Sequence, residues 1–177
     1  MARQAQTSTA VLGALAIGPL TGYEIRQAIT TVLGHFWHES FGQIYPCLAE
    51  LEADGLIAAT PGERAGSRRF EITDAGRGRL RDLLLEPAPP QAPRNGVLLR
   101  VFFGRELPDG AMTDLLDDVA TEARTRLATY AGIRAGIAAD PEYATHGRFW
   151  EATIRAGELS AQATIAWVAE VAPSLTT

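Results

Sequence analysis

The chain contains 177 residues, of which 46% are hydrophobic, and its formal net charge is −5. This length can bury one hydrophobic core, or a small domain with an appendage. Cys47 is the single cysteine, which excludes an internal disulfide and an all-cysteine metal site. No apolar run reaches the roughly 18 residues of a membrane-spanning helix. We therefore expect a cytoplasmic protein.

The charges are segregated along the chain. Residues 62–81 contain six arginines and three carboxylates, whereas residues 109–122 contain five carboxylates and no basic residue. The net charge alone argues against a nucleic-acid partner, but a local basic surface is what such binding requires. The basic segment is therefore the place where a nucleic acid is expected to bind.

Two helices are predicted near the N-terminus. The first should cover residues 9–17, with Ser8 or Thr9 as its cap. The second should begin at Thr21, because Thr21-x-x-Glu24 forms a capping box. In this motif each side chain accepts a hydrogen bond from the other residue's backbone N–H.

The third predicted helix begins with a second capping box, Ser40-x-x-Gln43. Gly55 should end it, since glycine readily adopts the left-handed conformation found after helices. Pro46 falls inside this helix, where its missing N–H should distort the first turn.

A hairpin and a fourth helix follow. Strands are expected at residues 56–60 and 68–73, joined by a loop with a glycine near each end. Thr73 can cap a helix that ends near Leu85. A short helix, a turn and an arginine-bearing hairpin are typical of a winged helix-turn-helix, which we assign to residues 1–86.

Residues 87–96 hold four prolines and are expected to form an extended linker. Beyond it, residues 97–103 and 109–138 should be helical, and a last helix should begin at Asp140. The predicted fold is therefore mostly α with a small β-hairpin. A winged helix-turn-helix is joined by a Pro-rich linker to a helical dimerisation domain of residues 97–177.

The two long C-terminal helices carry apolar residues at alternating spacings of three and four, as in a heptad seam. They can form an antiparallel hairpin with apolar surface left over for symmetric self-association. The alternative is a closed monomeric bundle. The residues proposed for the dimer contact are Met112, Leu116, Val119, Trp150, Ile154, Ala161 and Val168.

Four blocks in the first half share their order and spacing with one family. They are Gly22-Tyr23-Glu24-Ile25, the segment from Phe36 to Pro46, Leu48-x-x-Leu51-Glu52-x-Asp54-Gly55-Leu56-Ile57, and Arg68-Arg69-Phe70-x-Ile72-Thr73-x-x-Gly76. Over about residues 9–85 the chain resembles the PadR family of transcriptional regulators. Phe70 stands where that family more usually has Tyr. The C-terminal half is similar in length and pattern to the family's longer branch, whose helices build the dimer. The resemblance implies a bacterial repressor that binds a palindromic operator as a homodimer and is often released by a small molecule.

In a winged helix the third helix enters the major groove of double-stranded DNA and the hairpin reaches flanking phosphates. Gln43 could pair with adenine, or be occupied in its capping box. Tyr45 is expected to donate to a phosphate, or to pack against the first helix. Adjacent arginines point to opposite strand faces, so one should face DNA while the other packs or pairs with an acid. The DNA-binding candidates are Ser40, Gln43, Tyr45, Arg64, Ser67, Arg68 and Arg69.

A small apolar or aromatic effector is a further hypothesis. Phe102, Phe103 and Trp150 are aromatic residues of the helical half that could line a ligand cleft. The alternative is that they form interface core.

Other functions are weighed against DNA binding. His35, His38 and Cys47 lack a fourth ligand at a recognisable spacing, so no metal is expected. No catalytic constellation or phosphate-binding glycine loop is readable, and we expect neither an enzyme nor a cofactor. The main alternative is a winged helix used only for protein–protein interaction, which the net charge would suit.

Overall fold

The computed structural model describes residues 2–34, 41–62, 66–87, 95–139 and 145–175. The chain divides into two compact units, Met1–Gln91 and Ala92–Thr177. The first unit contains α1 (Ala2–Ile17), β1 (Leu20–Thr21), α2 (Gly22–Ala28, continued by a π-helical turn at Ile29–Leu33), α3 (Phe41–Ala53), β2 (Ile57–Pro61), β3 (Arg68–Ile72) and α4 (Asp74–Leu85). The second contains α5 (Gly96–Phe102), a 3₁₀ turn (Gly104–Glu106), α6 (Ala111–Ala139) and α7 (Gly147–Leu175).

The predicted mostly α fold with a small β-hairpin is confirmed. A further short strand, β1, pairs with the hairpin and makes a three-stranded sheet. The sheet is antiparallel with the order β1-β3-β2. Thr21 and Thr60 both lie opposite Arg69, on the two sides of β3. β1 has two residues, too few to show the alternation that identifies a strand. It ties the start of α2 to the centre of the sheet.

The first helix begins earlier than expected. It starts at Ala2, and Thr9 lies in its interior with its hydroxyl donating to the Ala5 carbonyl at 2.8 Å. Such a bond to the preceding turn replaces the capping role that the sequence suggested for this threonine. Ser8 is also interior, with its Oγ 3.6 Å from the Cys47 Sγ.

The capping box of α2 is confirmed. The Thr21 hydroxyl accepts from the Glu24 N–H at 3.2 Å, and Glu24 Oε2 accepts from the Thr21 N–H at 2.7 Å. The second bond holds the pKa of the Glu24 carboxyl below its usual value, with a smaller contribution in the same direction from Arg69. A carboxylate at this position also interacts favourably with the helix dipole.

Thr73 caps α4, as predicted. Its Oγ1 accepts from the Gly76 N–H at 3.1 Å and lies within donating distance of the Leu56 carbonyl, at 3.0 Å. A β-carbon at Gly76 would lie 2.0 Å from that carbonyl oxygen, so only glycine permits this approach. Pro46 lies inside α3, which continues as a helix on both sides of it. The core beneath these elements consists of Val11, Leu12, Leu15, Ile25, Ile29, Ile44, Cys47, Leu48, Leu51, Ile57, Phe70, Ile72 and Leu83.

In the second unit α6 and α7 form an antiparallel hairpin. Leu116 and Ala120 near the start of α6 pack with Val168 near the end of α7. Further along, Arg134 donates to Glu158 at 2.9 Å. That hydrogen bond is the main reason why the pKa of the Glu158 carboxyl is lowered. None of the helices that the structure describes combines the length and apolar character of a membrane span.

The start of this unit differs slightly from the prediction. Asn95 and Gly96 were assigned to the linker, but the Asn95 side chain accepts from the N–H groups of Val97 and Leu98 and so caps α5. The predicted helix start at Asp140 lies outside the described residues.

Candidate nucleic-acid interface

The third helix presents one buried and one exposed side. Ile44, Cys47, Leu48 and Leu51 are buried at spacings of three, one and three, which directs a single side into the core. The opposite side exposes Gln43 in the first turn and, further along, Ala49 and Glu50. An exposed helix of this kind has the dimensions that the major groove admits. Gln43 is therefore accessible, while its capping partner Ser40 lies outside the described residues.

Tyr45 is both packed and exposed. Its ring lies against the first residue of α2, where a β-carbon on Gly22 would be 2.9 Å from the Tyr45 Cε1. The side chain is nevertheless 56% exposed. The ring edge therefore rests on α2 and not, as the sequence alternative proposed, on the first helix, and much of the side chain remains accessible.

The wing, which is the hairpin formed by β2 and β3, is closed by a short backbone contact at its base. The Gly62 N–H donates to the Ser67 carbonyl at 2.9 Å, just beyond the pairing of Pro61 with Arg68. A β-carbon at Gly62 would lie 2.3 Å from the Ser67 Oγ, so the two residues are in close contact. Ser67 therefore shapes the hairpin. Arg64, predicted at its tip, lies outside the described residues.

Arg68 is held against α3. Its guanidinium forms an ion pair with Glu52 of α3 and stacks over the ring of Phe70 at 5.3 Å. The position shares a strand face with Phe70, which is buried. Arg68 therefore belongs to the helix-facing side of the sheet.

Arg69 points to the other face of β3. Its Nη1 is 3.8 Å from Glu24 Oε2, and its backbone lies opposite Thr21. The sequence predicted that one of the two arginines would face DNA and the other would have a partner. The structure instead pairs both with carboxylates that stand 16 and 45 positions away, which no local pattern indicates.

Two further arginines of this segment, Arg77 and Arg79, are also partnered. Arg79 forms an ion pair with Glu86 at 3.6 Å, and Arg77 donates to the Ala16 carbonyl at 3.4 Å. The local positive charge read from the sequence is thus partly neutralised in the folded unit. No cluster suited to a metal ion occurs among the residues with described positions.

The residues predicted for dimerisation divide into two groups. Leu116, Ile154, Ala161 and Val168 are buried inside one chain. They stabilise the α6–α7 hairpin and are not available for a contact between copies, which corrects that assignment. Met112, Val119 and Trp150 are half-buried, and the first two pack against the hairpin core.

Of the aromatic residues predicted for an effector, Phe102 and Phe103 lie together, whereas Trp150 lies apart from them within one chain. Phe102 and Phe103 form an edge-to-face pair with ring centroids 5.0 Å apart on α5. α5 packs near the end of α7 that carries Val168, through Val101. Trp150 lies at the other end of α7, about 27 Å away at 1.5 Å per residue, stacked on His146.

Comparison with protein families matches both halves of the chain. Residues 11–82 match the model of the transcriptional regulator PadR-like family, and residues 93–176 match that of the virulence activator alpha C-term family. The negative transcriptional regulator PadR of Bacillus subtilis is 30% identical over 127 residues, which cover 70% of each chain. A probable transcriptional regulator of Mycobacterium tuberculosis is 27% identical over 180 residues, covering 94% of this chain and 95% of its own.

Solved structures of Bacillus subtilis PadR share the fold. Its complex with operator DNA superposes with a TM-score of 0.79 at 23% identity and covers 95% of this chain and 98% of its own. Its complex with p-coumaric acid gives a TM-score of 0.79 at 23% identity, with coverage of 96% and 98%.

Proposed function

Because the chain belongs to the PadR-like family of transcriptional regulators, we propose that it is a cytoplasmic homodimeric repressor that binds a palindromic operator. The observation that carries the proposal is the exposed side of α3, with Gln43 and Tyr45 accessible in its first turns beside the wing. Repression is supported by the relative in Bacillus subtilis, which is a negative transcriptional regulator.

The proposed mode of binding follows from the geometry of α3. The N-terminal end of the helix enters the major groove, where the Gln43 amide reads adenine through N6 and N7. Such a bidentate contact discriminates against other bases by about 1–3 kcal/mol. The Tyr45 hydroxyl donates to a phosphate and fixes the helix in register. Ser40, Arg64 and Ser67 remain predicted contacts of the same surface.

The proposed dimer uses a surface other than the buried seam. α5 and the residue that follows it expose four large apolar side chains, and the most exposed is Phe102 at 81%. A contiguous apolar patch of this kind usually marks an interaction site. A second copy would cover it through a two-fold contact in which the same residues meet. The patch consists of Leu98, Leu99, Phe102 and Phe103.

A matched pair of substitutions tests this surface. Leu99→Glu places a charge within the patch, whereas Leu159→Glu places it on an exposed position of α7 outside the patch. Sedimentation should show a dimer for the wild type and for Leu159→Glu, and a monomer for Leu99→Glu. A dimer that survives Leu99→Glu and Phe102→Glu together would remove α5 from the interface.

We also propose release by a small aromatic effector, supported by the p-coumaric acid complex of the Bacillus subtilis relative. The paired rings of Phe102 and Phe103 are exposed and offer an aromatic surface. Tryptophan fluorescence titrated with hydroxycinnamic acids, with Trp150→Phe as a control, tests for binding. Absence of quenching by the whole panel would reject an effector of this class.

Specific binding is tested by anisotropy of labelled duplexes from the gene's own upstream region, followed by selection from random DNA. A regulator enriches one palindrome and reveals its half-site spacing. The second candidate is a protein-interaction module, favoured by the carboxylates that neutralise Arg68 and Arg69. Such a module would show no sequence preference. A reporter with the selected palindrome at its promoter then separates repression from activation.

A further inference from the structure

We infer that the adjacent arginines of the wing have different roles, with Arg68 fixing the wing to α3, the helix proposed to enter the major groove, and Arg69 contacting the DNA backbone. The inference rests on the proposed function and assigns the residues within that site. It comes from the way in which each guanidinium is held.

Arg68 has two contacts that it would lose by moving to a phosphate. The first is its ion pair with Glu52 in the second half of α3. The second is the stacking of its guanidinium over Phe70, 5.3 Å from the ring centroid. Departure of Arg68 would also leave the Glu52 carboxylate without this partner near an anionic backbone. Arg68 is therefore a positioning residue that ties β3 to α3.

Arg69 is held loosely by comparison. Its nitrogen is 3.8 Å from Glu24 Oε2, which is beyond hydrogen-bonding distance. The same carboxylate oxygen accepts a 2.7 Å hydrogen bond from the Thr21 N–H. Because the capping box satisfies Glu24 on its own, Arg69 can turn to a phosphate without leaving an unpaired acid behind.

Arg69 lies near the start of α2. Glu24 lies in the first turn of α2, and Gly22 in the same turn contacts the ring of Tyr45. The guanidinium that can exchange its partner is thus attached to the turn that supports the exposed tyrosine of α3.

The experiment compares Arg68→Gln and Arg69→Gln in the full-length protein, using anisotropy of a labelled upstream duplex over a range of salt concentrations. Arg69→Gln should reduce the slope of log K against log salt by about 1, because one phosphate contact is lost. Arg68→Gln should leave the slope unchanged and weaken binding about threefold at every salt concentration, as expected for an exposed tie. Glu52→Gln should weaken binding to the same extent.

Exchange of the two charges gives the decisive comparison. The double variant Arg68→Glu with Glu52→Arg should recover binding to within about twofold of wild type, because the tie is remade with reversed polarity. A phosphate-binding Arg68 predicts the opposite pattern. Loss of the Arg68 charge would lower the slope of log K against log salt by about 1. Glu52→Gln would tighten DNA binding, and the charge exchange would not restore wild-type binding. That pattern would overturn the assignment.

A measurement without DNA distinguishes failure of the Arg68 assignment from failure of the proposed function. The tie predicts that Arg68→Gln and Glu52→Gln together lower the melting temperature by less than the sum of the single shifts. Fully additive shifts would overturn the tie whatever the DNA result. A wild-type protein that binds no duplex at low salt would overturn the proposed function, and with it the role given to Arg69.

Discussion

The ring of Tyr130 on α6 occupies the space that a side chain at Gly157 on α7 would need. A β-carbon added at Gly157 would lie 2.3 Å from the Tyr130 Cζ and 2.4 Å from its hydroxyl oxygen. The tyrosine is itself buried, with 4% of its surface exposed. The close approach of the two long helices at this level therefore depends on one glycine facing one aromatic ring.

We predict that Gly157→Ala destabilises the helical hairpin. The added methyl group forces either the ring or the helix to move, and such overpacking costs about 1–3 kcal/mol. Urea unfolding followed by circular dichroism measures the change. Gly132→Ala on α6 is the matched control, since nothing lies within 4 Å of its added β-carbon. That substitution should stabilise the helix by up to about 1 kcal/mol, and equal effects at both positions would contradict the contact.

The features predicted correctly from the sequence are those coded by neighbouring residues. The pairing of Thr21 with Glu24 and the cap at Thr73 depend on spacings of three residues, and both form as expected.

The features that escaped prediction join residues far apart in the chain. The partner of Arg68 is 16 residues away on another element, and the ring that meets Gly157 belongs to a different helix. For the same reason, the apolar stripes of α6 and α7 did not predict which surface would cover them. A heptad pattern identifies a buried stripe but leaves open whether the same chain or a second copy covers it. Leu116 and Ile154 are covered within the chain.

We predict that Tyr45→Phe weakens operator binding while leaving the fold unchanged. The ring keeps its contact with Gly22, and only the hydroxyl proposed to bind phosphate is removed. Loss of one neutral hydrogen bond should cost about 0.5–1.5 kcal/mol of binding free energy. Because the hydroxyl carries no charge, the salt dependence of binding should not change. Tyr23→Phe is the control, since Tyr23 is exposed on α2 outside the proposed contact.

We predict that Gly22→Ala weakens operator binding through Tyr45. The added β-carbon would lie 2.9 Å from the ring, and an exposed ring can move aside at little cost to stability. The displaced hydroxyl would miss its phosphate. Gly22→Ala combined with Tyr45→Phe should then bind no more weakly than Tyr45→Phe alone, because both changes remove the same interaction. Additive losses would show that Gly22 acts by another route.

Gly18→Ala serves as the control for this substitution. Its added β-carbon would meet nothing within 4 Å, although the residue precedes the same helix. Binding by this variant should equal that of the wild type, and a loss would point to a general effect of alanine in this segment.

We predict that Glu24→Gln removes part of the acid sensitivity of the first unit. The hydrogen bond from the Thr21 N–H lowers the pKa of Glu24 from its ordinary 4.5. The deprotonated carboxylate is therefore favoured in the folded state. A carboxyl group whose pKa is lower in the folded than in the unfolded state stabilises the fold at pH values above its unfolded-state pKa. This stabilisation is lost as the pH falls through its folded-state pKa. Glutamine keeps an acceptor for the capping box but does not titrate. Relative to wild type, the variant should therefore be less stable at pH 7, and the difference should shrink below about pH 4.5. Urea midpoints between pH 7 and pH 3 measure this, and Glu71→Gln on β3 controls for the loss of one negative charge. A difference between wild type and Glu24→Gln that stays constant across this range would show that the hydrogen bond does not distinguish the two protonation states.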